Sequence, residues 1–292
     1  MSLMDDLNRA ARSVMDFFFP RQCPFCGGIV GRELLCDKCR KTLPYSGEHA
    51  VVDGRFGSAV APLYYEGAVR ECYAKTNKIN ELISKIGELR KKDAPPITFS
   101  DFIRLNHYTM RVDYDTSIEA LTEIYEELKD APGVCAADAP RILIMGRAVA
   151  EGDYVVPSLI EAAGGAIVCD FLDEAIRPYN CQIPAEGSIE DAYAKALYDD
   201  RVPQCIFQPS WETRFEKLKE LVAEYKIDGV LWYQLAFDEI YDMEYTCYAK
   251  WLQGSNLPIM KLETSYEYSR EATAPLVTRI ESFVDSLKEG KK

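Results

Sequence analysis

Four short, predominantly apolar stretches in the second half of the chain limit its fold more than any other feature: RILIMG (141–146), AIVCDF (166–171), GVLWYQ (229–234) and IMKLET (259–264). A strand covered on both faces reads this way, because neither side of its pleat is left to water. Helical patterns separate the stretches. DYVVPSLIEAA predicts a helix despite Pro157, 189–198 one opened by a Ser188/Asp191 capping box, and 213–225 one opened by Thr213/Glu216. Further helices are expected over 244–253 and 273–288. The alternation predicts an α/β, Rossmann-like domain over 139–292: a parallel sheet with helices on both faces and right-handed crossovers. Ligands of such sheets bind outside the carboxyl ends of the strands. Four loops are singled out on that ground, 146–153, 171–181, 234–242 and 264–269.

Upstream, residues 73–138 read as a helical segment. A helix is expected over 74–92, with ELRKK (88–92) as its exposed end, then a break at Pro95 and Pro96. A second helix enters through the capping box of Thr98 and Asp101, and a third covers 116–129. His107, beside Asn106 and Tyr108, reads as helix packing or capping. Residues 1–72 form the first module: an amphipathic helix in MDDLNRAARSVMDFFF stopped by Pro20, a cysteine segment, and SAVAPLYY as a strand.

The cysteine segment reads CPFCGGIVGRELLCDKC, two CxxC hooks with nine residues between them. Thiolates at Cys23, Cys26, Cys36 and Cys39 can wrap one ion tetrahedrally, which staples a module too small for much core. Structural zinc is the expected occupant, with iron in the same sulfur cage and unliganded thiols as alternatives. The remaining six cysteines are scattered at 72, 135, 169, 181, 205 and 247, which fits reduced thiols better than disulfides.

Charge and missing motifs exclude several classes. The formal net charge of -13, from 47 acidic and 34 basic side chains, argues against a general nucleic-acid surface. No apolar run approaches about 18 residues and no cleavable leader opens the chain, so no membrane role and a cytoplasmic location are expected. GRAVAEG lacks the glycine spacing of a dinucleotide fingerprint and GxxxxGK[ST] is missing, so neither nucleotide-binding motif is offered by the sequence.

Two resemblances add to this reading. FFFPRQCPFCGGIVGRELLCDKCRKTLPY, continued by APLYYEGAVRE, resembles the N-terminal zinc ribbon of the ComF family of competence-associated phosphoribosyltransferase-like proteins over about residues 15–72. The acidic strand end and phosphate loop of a phosphoribosyltransferase do not follow, so that activity is not implied. From about residue 77, KKDAPPITFSDFIRLNHYTMRVD, RILIMGRAVAEGD, AAGGAIVCDFLDEAIR, GVLWYQLAFDEIYDMEY and NLPIMKLETSYE resemble the later half of a subunit of the 2-hydroxyacyl-CoA dehydratase family, which includes benzoyl-CoA reductase subunits. The resemblance implies an acyl-CoA substrate, a [4Fe-4S] cluster, a homologous partner subunit and an ATP-dependent activator that donates one electron. The two halves together suggest a chimeric architecture.

Two positions depart from the family pattern: Asp173 and Asp238 stand where the resemblance places cluster cysteines. Carboxylates suit harder cations than an iron-sulfur cluster does. With Glu174, Glu239 and Asp242 nearby, Asp173 and Asp238 are candidates for a divalent ion, for acid/base catalysis, or for nothing beyond a solvated acidic loop. Cys181, Cys205 and Cys247 are an alternative cluster set. Arg147 and Arg177, each following a strand, are candidates for the phosphates or carboxylate of a CoA ester, with structural ion pairs as the competing role. Arg177 also matches an arginine of the family pattern. The competing function class is a binding or scaffold protein that kept the fold and lost the cluster cysteines.

Overall fold

The computed structural model describes residues 29, 37–42, 51–54, 57–60, 66–172, 181–202 and 211–290. The chain divides into two compact units, Met1–Val69 and Arg70–Lys292. In the first, helix α1 (Asp37–Thr42) carries the backbone of Cys39, and β1 (Val51–Gly54) pairs antiparallel with β2 (Gly57–Val60). Cys23, Cys26 and Cys36 lie outside the described residues, as does 61–65 of the expected SAVAPLYY strand.

The four apolar stretches all form strands: β3 (Arg141–Gly146), β4 (Ala166–Phe171), β5 (Gly229–Leu235) and β6 (Ile259–Thr264). They make one parallel sheet in the order β4-β3-β5-β6. Successive side chains of a strand point to opposite faces, and the two cores divide accordingly. Ile142, Ile144, Leu231, Tyr233 and Leu262 enter one core, while Leu143, Met145, Val230 and Trp232 enter the other. Burying one such aliphatic side chain contributes about 1.5–3 kcal/mol, so a strand apolar on both faces is held from both sides. One irregularity interrupts the alternation. The β3–β4 register steps from Ile142↔Ile167 to Leu143↔Cys169, so Val168 is the extra residue of a bulge.

The first face is covered by helices α2 (Glu66–Glu88), α3 (Phe99–Thr109), α4 (Tyr114–Leu128) and α5 (Val155–Ala162), together with α9 (Arg270–Gly290). Ile79, Leu82, Ile83 and Ile86 of α2, and Phe99, Phe102 and Ile103 of α3, recur at the three- and four-residue spacing that makes one helical stripe. The expected helical segment therefore shares a core with the sheet. Thr98 caps α3 as its sequence predicts, its hydroxyl accepting from the Asp101 amide at 3.1 Å. The second face is covered by α7 (Trp211–Glu224) and α8 (Glu239–Gly254). Between β4 and α7 comes α6 (Ile189–Ala194), capped by Ser188 and continued by a π-helical turn, Lys195–Asp200.

Three boundary expectations are corrected. Helix α2 starts at Glu66 and not at 74, because nothing in EGAVRECYAK breaks a helix. Helix α7 starts at Trp211, so Thr213 lies inside it and opens no capping box. Helix α8 starts at Glu239 and not at 244, with Asp238 as its N-cap residue and Glu239 and Asp242 in a first turn that favours acids. No described helix is long and apolar enough to cross a membrane.

Candidate functional site at the carboxyl edge of the sheet

The strand ends of β3 and β5 are locked together before any ligand is considered. Gly146 closes β3 with φ +110°, and a Cβ placed on it would lie 2.3 Å from the carbonyl oxygen of Tyr233, so only glycine fits. The next amide, of Arg147, donates to that same carbonyl at 2.8 Å. This brings the Arg147 side chain onto the β5 loop, where its guanidinium pairs with the Asp238 carboxylate. The arginine side chain stays 36% exposed and the aspartate 15%, so the pair faces solvent from one side. Partial desolvation opposes the arginine charge, but Asp238 and the phenols of Tyr266 and Tyr241 outweigh it and hold the pKa above the ordinary value.

Two further polar groups line the same edge. The Tyr233 hydroxyl donates to Oδ2 of buried Asp153 at 2.8 Å, and Tyr268, beyond β6, lies within hydrogen-bonding reach of Asp153 and Thr264. Burial first, and the Asp153 carboxylate second, push the Tyr268 phenol up to about 12. On the other side of β5, Trp232 Nε1 donates to Gln234 at 2.9 Å, and Gln234 in turn donates to Asp242 at 2.9 Å. Lys261 also pairs with Asp242, and these two contacts, the lysine's first, lower the Asp242 pKa.

Backbone strain is concentrated here too. Among the described residues, four non-glycine residues have positive φ. Lys226 and Asn256 end helices, where a left-handed residue lets the following amide reach back to the last turn: Ile227 to Val222 at 3.0 Å, Leu257 to Leu252 at 3.3 Å. Phe237 and Tyr266 instead follow β5 and β6, and both are exposed. A bulky aromatic residue adopts that conformation at a cost of about 1–3 kcal/mol, and such residues gather at ligand sites.

His107 backs this edge from α3. Its Nδ1 lies 2.9 Å from the Tyr154 hydroxyl, and Arg111 pairs with Glu151 at 2.5 Å, so α3 and the residue beyond it hold the β3 loop from behind. Burial lowers the His107 pKa against the opposing pull of Glu151 and the Val149 carbonyl, so the ring is neutral at pH 7. The packing role read from the sequence is the one observed, with the packing partner on the candidate site.

The sequence reading misses two buried ion pairs. Arg90, expected at the exposed end of a helix, is fully buried on the 3-10 turn Leu89–Lys91 and pairs with equally buried Asp170 of β4 at 2.6 Å. Its guanidinium carbon sits 3.9 Å from the centre of the Phe102 ring. The available signal was Asp170 itself, since a carboxylate inside an apolar strand demands a partner. Arg214 of α7 likewise pairs with Glu244 of α8, both buried. At the opposite edge of the sheet, a polar pocket is lined by Ser84, Glu88, Lys91, Lys217, Glu224 and Tyr225, but Lys91 is already bridged to Glu88 and Glu224.

Of the residues singled out from the sequence, the structure brings Arg147 and Asp238 together. Asp173, Glu174, Arg177 and Cys205 lie outside the described residues. Cys181 is buried, its thiol pushed up by desolvation, and its carbonyl accepts from Asn80 at 3.0 Å. Cys247 is half-buried on α8, and neither is in a disulfide, nor are Cys72, Cys135 and Cys169. Beyond β5, Asp238 pairs with Arg147, Asp242 pairs with Lys261 and accepts from Gln234, and Glu239 is exposed, while Asp173 and Glu174 of the same acidic set lie outside the described residues. Among the described residues, no group of three or more His, Cys, Asp or Glu side chains is placed to hold a metal ion. Iron-sulfur clusters prefer thiolates, and the arginine-bound carboxylate at position 238 is a poor substitute for one.

Comparison with known families accounts for both units. Residues 14–54 match the model of the double zinc ribbon domain, which spans all four hook cysteines. Comparison with curated proteins finds no match. Residues 64–287, which take in all four strands of the parallel sheet and reach into the last turn of α9, match the model described as 2-hydroxyglutaryl-CoA dehydratase, D-component, and the chain belongs to that family.

Proposed function

We propose that this chain is an acyl-CoA-binding subunit serving the reductive dehydration of a 2-hydroxyacyl-CoA, with the anionic groups of the thioester received beyond the carboxyl ends of β3 and β5. The observation that carries this reading is Arg147. It is a half-exposed guanidinium at the strand-end edge of a dehydratase-family sheet, held in place by a backbone lock, with exposed aromatic residues on the neighbouring loops. An arginine fork accepts two phosphate or carboxylate oxygens at once. In this reading Arg177 binds the ester and Asp173 handles a proton. A homologous subunit and an ATP-dependent electron donor complete the system, and the four hook cysteines hold one structural zinc.

Calorimetric titration with CoA and a 2-hydroxyacyl-CoA tests the reading. The wild type binds, and Arg147→Gln weakens binding roughly tenfold or more, the cost of one charge-assisted contact. A wild-type chain that binds no acyl-CoA after anaerobic iron reconstitution rejects it. A second reading, a binding or scaffold subunit without turnover, is favoured by one observation: Asp238, which stands where the resemblance implies a cluster cysteine, has its carboxylate engaged by Arg147. Anaerobic iron and sulfide analysis separates the two, since the scaffold reading expects neither beyond background.

A further inference from the structure

Aspartate is among the best helix N-caps, because its carboxylate accepts from the free amides of the first turn. Asp238 holds the N-cap position of α8, a helix of 16 residues, yet makes no side-chain cap bond. Its backbone sits at φ -89°, ψ 82°, with only its carbonyl joined to the helix, accepting from the Asp242 amide at 3.1 Å. The carboxylate turns to Arg147 instead. The residue therefore has two favourable partners and one side chain, and the first-turn acids Glu239 and Asp242 add to the negative field around it.

We infer that Asp238 determines which anions Arg147 accepts: it is a resident counter-ion that a phosphate or diphosphate group displaces and a lone carboxylate does not, and on displacement it turns to cap α8. The physical argument is one of exchange. A free monocarboxylate offers Arg147 the same charge and the same two oxygens that Asp238 already supplies, and it must also give up its translational freedom. A phosphate brings more charge and a third acceptor oxygen, so the exchange runs in its favour. The released aspartate is not stranded, because the first-turn amides of α8 receive it. This inference rests on the reading of Arg147 as the anion-receiving residue and adds a selectivity device to it.

The test titrates CoA, inorganic pyrophosphate and acetate into the wild type, Asp238→Asn, Arg147→Gln and the double variant, with circular dichroism confirming that each is folded. Asparagine keeps capping ability and loses the competing charge. Asp238→Asn is expected to bind CoA and pyrophosphate about three- to tenfold more tightly and to begin binding acetate, the scale of one partly exposed ion pair. The double variant shows no such gain. In the wild type, hydrogen exchange of the Ile240 and Tyr241 amides slows when CoA or pyrophosphate binds. Equal or weaker binding by Asp238→Asn, a gain that persists without Arg147, or unchanged exchange at those amides overturns the inference. If CoA fails to bind the wild type while pyrophosphate follows the expected series, the thioester reading falls and the selectivity device stands. If neither anion binds any variant, both fall.

Discussion

Two arginines six positions apart bracket β3, and their surroundings are opposites. Arg141, at the amino end, is 7% exposed and gives its guanidinium to four backbone carbonyls, those of Tyr225, Lys92, Arg90 and Lys91, while its own amide donates to Asp228. Arg147, at the carboxyl end, is tied by its amide, but its charge rests on a single carboxylate, that of Asp238, which makes no cap bond to its own helix. Backbone carbonyls cannot leave, and a side chain can. The first arginine is thus a staple between the 3-10 turn, the end of α7 and the sheet, and the second is exchangeable.

The strongest way to break this contrast is to remove each charge in turn. Arg141→Met leaves several buried carbonyls without a donor and is expected to cost about 3–5 kcal/mol in urea unfolding. Arg147→Gln, removing a half-exposed pair, is expected to cost below about 1 kcal/mol. Comparable losses would show that the carboxyl edge is as much a part of the scaffold as the amino edge.

A smaller effect is expected from pH. His107 is buried in neutral form, its pKa below the ordinary 6.5. The unfolded chain takes up a proton near pH 6.5 while the folded chain resists, so the stability due to this ring is present above that pH and is lost as pH falls through the lowered native value. Because His107 backs the loop that carries Arg147 and Asp153, CoA affinity should weaken over the same range. His107→Gln should flatten both profiles, and a pH titration of melting temperature and binding reads them together. The smallest effect is reserved for the ribbon. Cys26→Ser is expected to abolish zinc, measured by metal analysis, and to move sheet-unit unfolding by less than about 0.5 kcal/mol, as for a substitution in a separate compact unit.

Much of the sheet could be read from the sequence because its signal is local. A run such as RILIMG has one physical solution when both faces must be covered, and β3, β4 and β6 begin and end where those runs do. The Thr98 and Ser188 caps were equally legible, since a cap involves residues three apart. What escaped were choices settled across the fold. Arg90 looks like surface charge until Asp170, eighty residues away, claims it. Thr213 has a capping pattern, but α7 begins earlier at Trp211. For the site, the sequence indicated Arg147 and Asp238 as separate candidates, and only the closeness of the β3 and β5 loops joins them.

The bulge at Val168 carries a consequence for how this chain tolerates changes of length. Val168 and Cys169 both enter the second core, and the shifted parity sends the next side chain, Asp170, toward Arg90 on the first. Deleting Val168 would restore a regular pleat without moving Asp170, because Ile142↔Ile167 and Leu143↔Cys169 are already the pairings of an unbroken ladder; an extra residue between the bulge and Asp170 would instead turn Asp170 to the opposite side and leave Arg90 charged among Phe99 and Phe102 with no counter-charge. This strand is therefore better able to lose a residue at its bulge than to absorb one beside it.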